Sequence, residues 1–148
     1  MTKLQSLLLI VSFFFEHNQA WVLPSTFRRS TTRLSVVESV SVESLVDHET
    51  VGTELSGSIQ RWLDAEWMPQ DVHRQMGESC KLSYLKCRQT GEHDLMTIMT
   101  TVVGDLEEKW QEYDKDAFVG PWDITNYVSD FLTERAGLER CSCSSQIY

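Results

Sequence analysis

The stretch Asp94–Trp110, DLMTIMTTVVGDLEEKW, admits two readings, and the choice between them decides the fold. The β-branched run Thr100–Val103 favours a strand. Against it, Leu95, Ile98, Met99, Val102, Val103, Leu106 and Trp110 recur at the i, i+3, i+4, i+7, i+8 spacing of one helix face. That periodicity continues through LEEKW, well beyond the length of an ordinary strand, and Asp94 stands where an N-cap accepts the first free amide. The segment therefore reads as a helix.

Working outward, the same pattern recurs on both sides. Leu55, Ile59, Trp62 and Leu63 form one face of an earlier helix, with Thr53 as its expected cap and Met68, before Pro69, as its end. Pro69 suits the first turn of the next helix, with Asp71 near its positive end. That helix carries Val72, Met76, Cys80, Tyr84 and Cys87 on one stripe. It collects Lys81, Lys86 and Arg88 toward its C-terminus and stops near Thr90, before Gly91. After the acidic turn EYDKDAFVGPWD, Asp123 is the expected cap of a last helix with Ile124, Tyr127, Val128, Phe131 and Leu132 on its inner face, closed by Gly137. Four amphipathic helices with short connections predict an all-α fold, a compact antiparallel bundle over residues 53–138. Residues 37–52 read as a linker, although apolar and polar residues nearly alternate from 35 to 42, and 139–148 as a polar tail.

The N-terminal third has a different composition. Residues 1–20 pair Lys3 with an apolar run, LQSLLLIVSFFF, and end at Ala20, the layout of a secretory signal peptide. The run is shorter than the roughly 20 residues of a spanning helix. Residues 21–36 then open with WVLPSTFRRSTTR, which holds three arginines, five Ser or Thr residues and no acid, the composition of a transit peptide. A transit-like segment behind a signal peptide resembles the bipartite plastid-targeting leaders of diatoms and related algae. In those leaders an aromatic residue follows the signal cleavage site, closely followed by proline; Trp21 and Pro24 hold these places here, with tryptophan instead of phenylalanine. The resemblance implies cleavage between Ala20 and Trp21 and delivery to the stroma or the stromal side of the thylakoid, with no transmembrane segment left after processing. A plain secreted protein with residues 21–50 as a flexible leader is the alternative. Within the folded part, Trp62–Met99 resembles domains of photosynthetic organisms and carries no residue roles with it.

Charge and cysteines restrict the function. Residues 38–148 hold 9 basic and 21 acidic side chains, a net charge of −12, which repels nucleic acid and anionic lipid. Cys80 and Cys87 would lie about 10.5 Å apart on one helix, beyond the roughly 7 Å limit for a bridge, so the thiols read as mainly reduced. Cys141-Ser-Cys143 is a candidate redox or soft-metal pair, and it supports an alternative function in thiol or metal handling. His73, Cys80 and Cys87 share one stripe and read as core. The acidic pairs Asp64/Glu66, Glu107/Glu108 and Asp114/Asp116 read as a solvated face, since none joins a histidine at ligand spacing.

No P-loop, dinucleotide fingerprint, zinc-protease motif or EF-hand loop is present, so neither an enzyme nor a bound cofactor is expected. Tryptophan is the unusual feature. Trp62 and Trp110 sit on core stripes, whereas Trp67 and Trp122 stand beside prolines at connections, as do Met68 and Phe118. These four are the candidate contact residues for a protein complex in the plastid, and the expected function is that of an accessory protein: adaptor, assembly factor or peripheral subunit.

Overall fold

The computed structural model describes residues 39–113, 118–139 and 145–148. They form four helices, α1 (His48–Glu66), α2 (Asp71–Gln89), α3 (Leu95–Lys109) and α4 (Pro121–Arg135), as a helical bundle. Side-chain contacts fix the order around it. Ser56 and Thr53 of α1 meet Glu78 and Lys81 of α2, Ser83 of α2 meets Asp105 of α3, and Glu54 of α1 pairs with Arg135 of α4. Early His48 of α1 meets late Arg88 of α2 and late Asp64 of α1 meets early His73 of α2, while early Glu54 of α1 faces late Arg135 of α4. The bundle is up-down-up-down and antiparallel, with α1 and α4 closing the ring.

The predicted stripes are the core. Leu55, Ile59, Leu63, Met76, Cys80, Tyr84, Ile98, Val102, Leu106, Ile124, Tyr127, Val128 and Leu132 are essentially inaccessible. Each aliphatic side chain among them contributes about 2 kcal/mol by leaving water. Asp94 caps α3 as expected, its carboxylate accepting from Thr97 N–H at 2.9 Å. Gly91 and Gly137 take φ of +79° and +70° just beyond α2 and α4, a conformation that costs glycine least. Between α1 and α2 the backbones approach closely, because a Cβ on Gly77 would lie 2.6 Å from Ser56 O.

Three helix starts and the expected linker differ from expectation. Helix α1 starts at His48, capped by Asp47, which accepts from Thr50 N–H at 3.1 Å; Thr53 is interior and donates its hydroxyl to Glu49 O. Part of the expected linker therefore belongs to the helix. The residues before it are packed too: Val42 is fully buried, and an isolated antiparallel bridge joins Ser41 to Asp94. Val42 N–H donates to His93 O, and Val40 O accepts from Leu95 N–H. Of the alternation read from 35 to 42, the described residues 39–42 contribute this single bridge. Pro69 precedes α2 instead of opening its first turn, and Gln70 occupies the N-cap. Helix α4 begins at Pro121 with Gly120 as N-cap, so Asp123 is its third residue and reaches back to Gly120 N–H at 2.7 Å. Proline at the first helical position needs no amide partner, which places the start earlier than an Asp cap would.

Candidate interaction site at one end of the bundle

The C-terminus of α1, the N-terminus of α2, the C-terminus of α3 and the N-terminus of α4 share one end of the bundle. Helix α1 stops at Glu66, and Trp67 turns into extended backbone while its N–H still donates to Leu63 O at 2.9 Å. Met68 precedes Pro69, which disfavours helical backbone and prolongs the break. Beneath this connection the buried His73 meets Asp64, Nδ1 to Oδ1 at 2.7 Å, tying the start of α2 to the end of α1. Asp64 is thus engaged, a correction to its reading as part of a solvated face. Nine residues separate the pair in sequence, which is not the spacing of a single helix, so only the folded turn reveals it.

On this end Trp67 stacks on Phe118, with ring centroids 4.9 Å apart and planes 17° from parallel. Both rings remain accessible, Trp67 at 38% and Phe118 at 76%. Met68 is 80% exposed beside them in sequence. Trp122 is 55% exposed on the first turn of α4, not in the connection, and makes no ring contact with the other two among the described residues. Glu66, Asp71 and Asp123, close to Trp67, Met68 and Trp122 in sequence, are exposed. A stacked aromatic pair left open to water is a ready apolar anchor.

The remaining aromatic pairs are structural. Trp62 stacks on Tyr127 at 4.4 Å across α1 and α4, and Trp110 meets Tyr113 edge-on at 5.7 Å. Tyr113 donates to or accepts from Ser79 at 2.6 Å, and its burial raises the phenol above its ordinary pKa while that bond lowers it. Cys80 and Cys87 are buried free thiols, and burial pushes Cys80 up to about 12. Cys80 is therefore not a thiolate nucleophile at neutral pH, and Cys87 is buried away from solvent. Cys141, Cys143, Asp114, Asp116 and the Ala20–Trp21 junction lie outside the described residues.

Among the described residues no group of three or more His, Cys, Asp or Glu side chains is placed to hold a metal ion, and no helix is long and apolar enough to cross a membrane. A shallow depression over Glu49, Thr50, Thr53 and Glu54 lies on a single helix and brings no groups together from elsewhere in the fold.

Sequence reading missed the other polar contacts between elements. Ser58 of α1 and Tyr127 of α4 meet at 2.7 Å in the core. Residues 145–148, expected to belong to a free polar tail, lie against these two helices: Ile147 packs on the core and the Tyr148 backbone bonds to both hydroxyls. Arg88, read as one of the bases collected toward the C-terminus of its helix, is buried and donates to Leu45 O and Glu92 O at 3.1 and 2.9 Å. A serine on an otherwise apolar stripe is the one sequence signal pointing to such contacts.

Residues 34–136 match the family model for a domain of unknown function, DUF8822, a span that takes in all four helices and ends before the docked residues 145–148. No curated protein and no solved structure matches the chain. The match covers most of the sequence, and the chain belongs to the DUF8822 family.

Proposed function

We propose that this chain is a non-enzymatic accessory protein of the plastid, an adaptor, assembly factor or peripheral subunit that docks on a protein complex through one end of its bundle. The observation that carries the reading is the Trp67–Phe118 stack, solvent-accessible at a bundle end that also presents Met68 and Trp122. Large apolar side chains already stacked on one another lose less conformational freedom on binding, which favours an interface anchor. The plastid assignment rests on the leader, with the basic, acid-free segment after Ala20 as its support. The strongly acidic folded part favours a protein partner over nucleic acid.

The test places a photo-reactive amino acid at Met68 or Trp122 of the full chain expressed in a diatom. Cross-linking to one defined plastid protein, abolished by Trp67→Ala with Phe118→Ala, is the expected result. A protein recovered only as a free monomer, with no cross-linked product, overturns the docking role. A fluorescent fusion found in the culture medium overturns the plastid address separately.

A further inference from the structure

Residues Ser145–Tyr148 occupy the cleft between α1 and α4 through their main chain. Ser58 Oγ–H donates to Tyr148 O at 2.8 Å, so its remaining contact, to Tyr127 at 2.7 Å, is one in which Ser58 accepts. Tyr127 is then the donor in that bond, and its oxygen accepts from Tyr148 N–H at 3.1 Å. The hydrogen bonds close into a ring: Tyr148 N–H to Tyr127, Tyr127 to Ser58, Ser58 to Tyr148 O. Arg61 Nη2 donates to the same Tyr148 oxygen at 2.9 Å, and Asp130 Oδ2 accepts from Ser145 N–H at 2.6 Å. The Ile147 side chain packs against the core.

Two fully buried hydroxyls on facing helices are costly in an apolar interface unless each is satisfied. Here both address one backbone residue, and their arrangement has a physical rationale as a peptide-binding device. We propose that the α1–α4 cleft is a docking groove for an extended polypeptide segment. Ser58, Arg61, Tyr127 and Asp130 read its main chain and the core receives one branched aliphatic side chain. The ligand in this chain is its own Ser145–Tyr148, which acts as a releasable strap across the two helices. The groove residues belong to the matched family domain and the strap lies beyond it, so site and ligand are separable parts.

The experiment uses the full chain and a fluorescein-labelled peptide of residues 139–148. In the unaltered chain the Ser145 and Tyr148 amides should exchange at least tenfold more slowly than in that peptide free in solution. Ile147→Asp releases the strap, and the labelled peptide should then bind this variant at least tenfold more tightly than the unaltered chain, whose groove is filled. Tyr127→Phe added to Ile147→Asp should remove the binding. Arg61→Ala, at an exposed position that leaves the core intact, should weaken it even if the Tyr127 variant is poorly folded. Unprotected amides in the unaltered chain, equal binding to the unaltered chain and the Ile147→Asp variant, or binding to neither would each overturn the proposal.

Discussion

The two ends of the bundle solve the same problem in opposite ways. At the end where α1 begins and α2 finishes, residues 40–45 close the gap: Val42 and Leu45 enter the core, and Arg88 bonds to Leu45 O, Glu92 O and His48 Nδ1. At the other end the corresponding apolar side chains, Trp67, Met68, Phe118 and Trp122, stay in contact with water. A helical bundle has helix termini to satisfy at both ends. One is sealed with polar backbone bonds and buried aliphatics, and the other is left apolar and open. The difference teaches where stability and binding reside: substitutions of the buried groups at the sealed end should destabilise the chain, and substitutions at the open end should leave it folded and unable to bind.

The sharpest way to break this contrast is Arg88→Met. It removes bonds to two backbone oxygens, leaving them without these donors, and should cost about 3 kcal/mol. In a domain of this size that lowers the thermal midpoint by roughly 12 to 24 °C. Tyr84 lies on the same helix with its hydroxyl fully buried, and that burial raises its pKa above 10 while the nearby Arg88 lowers it again in part. A phenol with a raised folded pKa contributes stability below pH 10 that is lost as pH climbs through the folded value. Denaturant titrations above pH 10 should therefore show a decline that Tyr84→Phe reduces.

Midway between the ends, Gly77→Ala tests whether close α1–α2 packing is needed by both. The added methyl would meet backbone, Ser56 O at 2.6 Å, so relief requires the helices to part. A loss of about 2 kcal/mol is expected, read as a lower urea midpoint with unchanged slope. If the variant is as stable as the parent, the close approach is not a constraint.

At the open end, Trp67→Ala combined with Phe118→Ala should change stability by about 1 kcal/mol, the order of an exposed aromatic pair. It should abolish cross-linking to the partner. A double variant that unfolds would merge the two ends into one structural role and remove the basis for the proposed function.

How much of this was legible beforehand follows from range. The stripes of α2 and α3 and the Asp94 cap are set by residues three to eight apart, and they lie where periodicity places them. The aromatic end is visible because Trp67 and Trp122 each lie within two residues of a proline, Pro69 and Pro121. The Trp67–Phe118 stack, the Asp64–His73 pair and the seat of Ile147 join distant segments, and no local pattern encodes them. Thr53 reads as the cap because the polar residues His48–Thr50 hide the first turn of α1, although the buried Val51 carries the apolar stripe one turn ahead of Leu55.

That extension supplies the smallest and most local prediction. Asp47 is exposed, and its hydrogen bonds from Thr50, side chain and then backbone, hold its carboxyl below the ordinary value of 3.8. A group with a depressed folded pKa contributes stability that is present above the unfolded value and lost as pH falls through the folded one. The cap at the sealed end therefore weakens only below pH 3.8. Asp47→Ala should lose the contribution at neutral pH as well, so the parent and the variant should converge in stability as acid protonates the parent's cap. Asp47→Asn, which keeps an acceptor oxygen without the charge, should show the smaller loss at pH 7 and no convergence window of its own. If the parent and Asp47→Ala already agree at pH 7, the first turn of α1 is held by residues 40–45 packing beneath it, and the sealed end owes nothing to its cap.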